Sequence, residues 1–216
     1  MGPQGAGKGT QSGMLAEKLS LPIIATGDIL REVARADTDL GHLVRDTQAA
    51  GRLVSDEILA EIVSRRIGQG DCAQGCILDG FPRTLPQAQL LDSIAAARGD
   101  RIIVIDIDVP RDLLMKRLAG RRICPACGAL YNIYFKPPAK QGVCDLDGHE
   151  LVTRSDDTEE AIEKRLSQYD EKTRPLLDYY RKRGSLFTVD GRGLPEQISA
   201  NIAGFIERVA APYGAI

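Results

Sequence analysis

The chain has 216 residues and a formal net charge of −2, with 43% apolar and 27% charged residues, an ordinary balance for a globular protein. That length buries a core without a staple, and the near-neutral charge excludes a broad electrostatic attraction to nucleic acid or to an anionic membrane. No apolar run approaches the roughly 20 residues of a membrane-spanning helix. The N-terminus has no signal-peptide core, and five cysteines with one CxxC pair read as cytosolic thiols, some on a metal.

Residues 1–10 form a glycine-rich loop, and Met14, Leu15 and Leu19 predict a helix over 10–19. Residues 21–25 read as a short strand, 28–34 and 41–49 as short helices. Ser55 opens a helix carrying Ile58, Leu59, Ile62 and Val63 on one face. Residues 76–79 read as a buried strand ending in a carboxylate, 80–83 as a loop and 84–98 as a helix. The run 102–107 is nearly continuous and β-branched, a strand covered on both faces, and Pro110 opens the next helix. Between 120 and 157, turn residues, cysteines and a β-prone run at 130–135 replace this alternation, which marks an inserted subdomain. Asp157 reads as a helix cap, with Glu160 completing a capping box. Ile162, Leu166, Tyr169, Thr173, Leu176 and Tyr180 mark a long amphipathic helix, kinked or interrupted near Pro175. A last strand at 186–189 and a last helix at 195–209 complete a strand–helix alternation that argues a parallel α/β sheet. Cys72 and Cys76 read as ordinary thiols, with Cys76 buried at a strand start.

The first chemical signal is Gly2-Pro3-Gln4-Gly5-Ala6-Gly7-Lys8-Gly9-Thr10. Glycines let the backbone curl so that several N–H groups point at one phosphate, and the helix that follows adds its positive end. Lys8 supplies a full charge. The spacing fits the P-loop pattern, except that Gly9 stands between Lys8 and the hydroxyl of Thr10.

The Gly7-Lys8-Gly9-Thr10 ending resembles the P-loop of adenylate kinases and their nucleoside monophosphate kinase relatives, and the likeness runs over nearly the whole chain. Thr26-Gly27-Asp28-Ile29-Leu30-Arg31 resembles the family's TGDxxR segment. Gly51-Arg52-Leu53-Val54-Ser55-Asp56 is similar to the stretch that lines the adenine and ribose of AMP. Asp79-Gly80-Phe81-Pro82-Arg83-Thr84 matches the DGFPRT signature, with Gln87 at the family's spacing. The resemblance implies that Thr26, Arg31, Arg52, Leu53, Val54, Gly80, Arg83, Gln87, Arg154 and Arg165 bind AMP. Within that set Arg83 grips the phosphate and Gln87 reads the adenine edge, while Asp79 holds magnesium through water. These residue types suit the tasks: a guanidinium fork meets phosphate bidentately, an amide both donates and accepts, and a carboxylate suits a hard hydrated cation.

The same resemblance assigns Gly5, Ala6, Gly7, Lys8, Gly9, Thr10, Arg117, Arg121, Leu130, Tyr131 and Gly193 to ATP. Arg121 lies in a GRR-like segment at the lid entrance and Arg154 in a TRxDD-like segment at its exit. Lys8, Arg83, Arg121, Arg154 and Arg165 then carry the charge stabilisation of phosphoryl transfer, which needs in-line nucleotides and neutralised charge more than a general base. Asp156 and Asp157 either pair with lid arginines or cap the helix. Cys124-Pro-Ala-Cys127, then Cys144 and Asp147, resembles the zinc-bearing lids of bacterial adenylate kinases, with His149 as a substitute ligand or, in the metal-free alternative, free thiols.

The resemblance implies an α/β P-loop nucleoside monophosphate kinase fold, a parallel sheet core flanked by helices. Residues 1–24, 55–119 and 158–216 form the core, 25–54 an AMP-binding insertion and 120–157 a zinc-binding lid. The implied reaction is reversible transfer from ATP to AMP giving two ADP, with Mg2+ on ATP, Zn2+ in the lid, and a monomeric cytoplasmic enzyme. The alternatives are a UMP or CMP kinase, against which Gln87 and the long lid argue, a GTP donor, and a nucleotide- or zinc-binding protein without turnover. Two departures stand out: Gln4 replaces the usual Pro, and only Met1 precedes Gly2 where the family has a central first strand. The expectation is that the natural start lies upstream, or that the chain is clipped.

Overall fold

The computed structural model describes residues 1–49, 54–153 and 157–210. The glycine loop runs directly into α1 (Lys8–Leu19), earlier than the apolar spacing places the helix. Gly7 explains this: it is the N-cap at φ 99°, a left-handed conformation that costs a glycine little, so the helix begins at the lysine. β1 (Ile23–Ala25), α2 (Thr26–Arg35), α3 (Asp39–Ala49) and α4 (Asp56–Ile67) follow. Ser55 caps α4, its Oγ accepting from the Ile58 N–H at 3.4 Å. α4 buries Leu59, Ile62 and Val63, the face that the helical spacing predicts.

β2 (Ile77–Asp79) leads through the loop 80–83 to α5 (Leu85–Arg98), capped by Thr84. β3 (Val104–Asp108) and α6 (Arg111–Ala119) come next, then the antiparallel pair β4 (Arg121–Ile123) and β5 (Leu130–Asn132). β3 starts later than its apolar run because its partner β6 (Leu186–Asp190) begins only after the Gly184 turn, so Ile102 and Ile103 have nothing in β6 to pair with. α7 (Glu159–Gln168) and α8 (Pro175–Lys182) are the predicted amphipathic run, joined by a π-helical turn, Tyr169–Thr173. There the Arg174 N–H reaches Tyr169 O at 2.8 Å, five residues back. The widening falls just before Pro175, which has no N–H and whose ring would meet the preceding turn. α9 (Pro195–Ala210) closes the described chain.

One predicted cap is overturned. Thr158, not Asp157, caps α7: its Oγ1 accepts from the Ala161 N–H at 3.3 Å. Asp157 is committed to two arginines instead. Cys72, not Cys76, is the fully buried thiol of its pair, packed in the core beside Ile67, while Cys76 at the edge of β2 is half-buried. Burial pushes the Cys76 thiol up to about 11 and raises Cys72 as well, so both are inert at neutral pH.

β1 and β2 pair in parallel from Ile23↔Ile77 to Ala25↔Asp79, and β3 and β6 from Val104↔Leu186 to Asp108↔Asp190. Among the described residues these are separate ladders. Met1 lies against the other edge of β3, its amino group donating to Ile105 O and its carbonyl accepting from Ile107 N–H at 3.2 Å. The phosphate loop therefore leaves the carboxyl end of the parallel strands, where open α/β sheets bind ligands. One core cluster packs α1, α6, α7 and α9 through Leu15, Leu118, Ile162 and Ile202. A second packs Ile24, Leu59, Val63 and Leu91, and a third packs Val104 on Leu176 and Tyr180. No helix among the described residues is long and apolar enough to cross a membrane.

Candidate active site

A cleft of about 2180 Å³ opens above the loop. Gly5, Ala6, Gly7, Lys8, Gly9 and Thr10 line it, as do Thr26, Val54, Asp79, Gly80, Arg83 and Gln87. Arg117, Arg121, Leu130, Tyr131, Arg165 and Gly193 complete the predicted residues that the fold brings together there. Arg52, Leu53, Arg154 and Asp156 lie outside the described residues, and Arg31 is described only as part of α2.

Lys8 curls back over the loop, donating to Gly2 O at 2.8 Å and Pro3 O at 2.9 Å. Burial first lowers its ammonium to about 8. Asp79 opposes that shift, and Arg83, Arg165 and Arg121 add to it. Lys8 therefore shares one low-dielectric space with Arg83, Arg121 and Arg165, an arrangement that suits an anion. Asp79 ends β2 within reach: a Cβ on Gly9 would lie 3.7 Å from its Oδ2.

Arg83 is held by its own loop, Nε donating to Gly80 O at 2.7 Å, and its main-chain carbonyl accepts from Thr173 Oγ1 at 3.1 Å. The π-helical turn thereby touches the loop of the arginine. Gly80 must be glycine, since it sits at φ 83° and a Cβ would lie 2.9 Å from both Arg83 Nη2 and Thr26 Oγ1. Thr26 is buried and donates to Gly80 O at 3.1 Å, which leaves its lone pairs for a ligand. Gln87 is 4% exposed; its Oε1 accepts from Arg83 N–H at 2.7 Å and its Nε2 donates to Asp56 Oδ1 at 2.6 Å.

Across the cleft, Arg117 donates to Gly191 O at 2.8 Å and lies 5.9 Å from the Phe135 ring centroid. Its own carbonyl accepts from Asn132 Nδ2 at 2.7 Å. Arg121 grips Asp157 through Nε at 2.7 Å and through Nη2, and Arg165 reaches the same carboxylate at 3.4 Å. The Asp157 side chain is 0% exposed. A buried carboxylate between two guanidiniums holds both in place, and removing it would leave two close like charges. The open choice at Asp157 between pairing and capping resolves as pairing. Tyr131 borders the cleft, but its side chain turns into the lid, where its OH meets Cys144 Sγ at 3.5 Å and accepts from Asp145 N–H at 2.8 Å.

The ligand atoms of Cys124, Cys127, Cys144 and Asp147 all lie within 4.8 Å of one another. Three thiols and a carboxylate at that spacing fit a closed tetrahedral site. Among the described residues the buried cluster around them is only Cys124, Tyr131, Cys144 and Leu151, so a cation there would supply stability that apolar burial does not. His149 stands one step back, its Nδ1 3.3 Å from Asp147 Oδ1.

The sequence reading includes Asp56, Asn132 and Thr173 but assigns none of them the side-chain bond it makes. Their partners are 31, 15 and 90 residues away, so no local spacing signals them.

The family model described as Adenylate kinase matches residues 1–185. The chain is 49% identical to the adenylate kinase of Moorella thermoacetica over 93% of each chain. It is 47% identical to that of Syntrophomonas wolfei over 94% of each, and 44% identical to that of Clostridium kluyveri over 92% of each.

Proposed function

The chain belongs to the adenylate kinase family, and we propose how its own residues carry out that family's reaction. The reaction is reversible transfer of the terminal phosphoryl group of ATP to AMP, giving two ADP. One observation carries the residue assignment: Lys8 feels the charges of Asp79, Arg83, Arg165 and Arg121, and all five side chains line a single cleft.

The glycine loop and the N-terminus of α1 receive the ATP phosphates on backbone N–H groups. Lys8 exchanges its loop carbonyls for a phosphate oxygen. Arg117 and Phe135, with Leu130 and Gly193, hold the adenine end of ATP. Arg83, placed by Gly80 O and by Thr173, takes the AMP phosphate with Arg31 and Arg154. Thr26, Arg52, Leu53, Val54 and Gln87 hold the AMP nucleoside. Arg121 and Arg165, ordered by Asp157, sit where charge develops on the transferred group, so no nucleophile or general base of the protein is required.

Asp79 would hold the magnesium that accompanies ATP, largely through water, and that ion would neutralise charge between the phosphates. Cys124, Cys127, Cys144 and Asp147 would hold zinc, which would fix the lid's fold and take no part in the chemistry. Residues 25–54 and 120–157 act as the covers over AMP and ATP, on a core of 1–24, 55–119 and 158–216. The lid's separate antiparallel pair and small core support that division. Closing the covers keeps water from the phosphoryl group, the role this handoff between two nucleotides demands. The proposed state is a cytoplasmic monomer.

The test is ADP formation from magnesium-ATP with AMP, UMP, CMP and GMP as acceptors. Fast turnover with AMP alone is the expected result. Faster turnover with UMP or CMP would overturn the acceptor assignment.

A further inference from the structure

Gln87 is a buried amide whose two ends are both spoken for. Arg83 N–H can only donate and the Asp56 carboxylate can only accept, so Oε1 must face the former and Nε2 the latter. Asp56 is itself fixed, because its second oxygen accepts from Thr84 Oγ1 at 2.8 Å. Thr84 is the N-cap of α5 and Asp56 is the first residue of α4, so the carboxylate ties two helix starts together beneath the cleft. Gln87 and Asp56 both line that cleft.

After these bonds, Gln87 still has one N–H and one lone pair to offer. A purine with a 6-amino group presents a donor beside a ring-nitrogen acceptor, which this fixed amide matches. A 6-oxopurine presents an acceptor where the amino group was, and only an amide turned by 180° can meet it. Turning would put Oε1 against the Asp56 carboxylate and Nε2 against the Arg83 N–H, two repulsive contacts in a buried place.

We propose that Asp56 is a specificity-determining positioning residue: by clamping Nε2 of Gln87 it locks the amide in the orientation that selects a 6-aminopurine monophosphate as acceptor and rejects a 6-oxopurine one. Asp56 touches neither substrate in this account. The inference rests on Gln87 meeting the acceptor base, which is tested separately.

The experiment compares kcat/KM for AMP and for inosine monophosphate in the parent, Asp56→Asn, Gln87→Ala and the double variant. An asparagine keeps the shape of the carboxylate yet tolerates either face of the amide. Asp56→Asn should raise the inosine-to-AMP ratio about ten-fold or more, with KM for magnesium-ATP unchanged. In the Gln87→Ala background the same substitution should change the ratio no further. Asp56→Ala, which removes the acceptor altogether, should act in the same direction and serves if the asparagine variant folds poorly. A parent-like ratio in folded Asp56→Asn and Asp56→Ala, with Gln87→Ala altering AMP selectivity, would overturn the clamp alone. A Gln87→Ala variant with parent-like AMP kinetics and ratio would overturn the acceptor reading and the clamp together. A merely structural role for Asp56 would lower the melting temperature without moving the ratio.

Discussion

Lys8 is a residue whose charge depends on its surroundings. In the free protein burial lowers it to about 8, so at pH 8.5 a large share of molecules carry it neutral. A bound polyphosphate favours the ammonium form, so binding must draw a proton from solution at that pH. At pH 7 the residue is charged before and after binding, and no uptake from it follows. Calorimetric titration with nucleotide in two buffers of different ionisation heat should show a greater proton uptake at pH 8.5 than at pH 7. Equal uptake at both would contradict the lowering of the Lys8 ammonium by its buried position. Arg83 gives a second prediction. Among the described residues its side chain bonds only a loop carbonyl, so Arg83→Ala should cost little stability. It should lower kcat by about 100-fold or more, as loss of a preorganised charge partner does. Unchanged kcat with an unchanged melting curve would reject its role. The loop positions of the glycines and Arg83 were legible because turn chemistry is local in sequence. The commitment of Gln87 to Asp56, and of Arg121 and Arg165 to Asp157, was not, because packing alone brings those partners together.

At the scale of elements, spacing located the helices and strands, and pairing trimmed them. Residues 102 and 103 are as β-prone as the rest of their run, yet the ladder starts at Val104 because β6 starts at Leu186. The α7 cap shows the opposite limit. Asp157 and Thr158 are adjacent and both are good capping residues, so propensity cannot choose between them. The choice is made by Arg121 and Arg165, which claim the carboxylate and leave the hydroxyl for Ala161. The grouping of three cysteines and an aspartate was legible for a simple reason: Cys124 and Cys127 sit on a local turn, and Cys144 and Asp147 repeat it. The lid has few other buried groups, so its fold should depend on the ion. Elemental analysis should find about one zinc per chain. Stripping it with a chelator should raise KM for ATP more than KM for AMP and lower the melting temperature. A metal-free protein with the same melting curve would contradict this.

For the molecule as a whole, stability and catalysis draw on different residues. Ile202 is fully buried where α9 meets α1 and α6, in a core cluster that also holds Ala6 of the phosphate loop, and no ligand contact is proposed for its side chain. Ile202→Ala should cost about 2–5 kcal/mol, a large part of the roughly 5–15 kcal/mol that holds a domain folded. The melting temperature should fall by about 5–15 °C, while kcat well below it stays near the parent value. A large loss of kcat in the folded variant would show that core and site are coupled. The cleft itself has a property that neither residue nor element has alone. It gathers Lys8, Arg83, Arg121 and Arg165 around one space, and the proposed assignment of that space to two nucleotides, with no protein nucleophile, has the phosphoryl group pass directly from one to the other.

That claim is most directly tested by initial rates of ADP formation measured over a grid of ATP and AMP concentrations. Direct transfer within one cleft requires both nucleotides bound at once, so double-reciprocal lines must intersect. Parallel lines, accompanied by a phosphorylated form of the protein when ATP is supplied alone, would contradict the account.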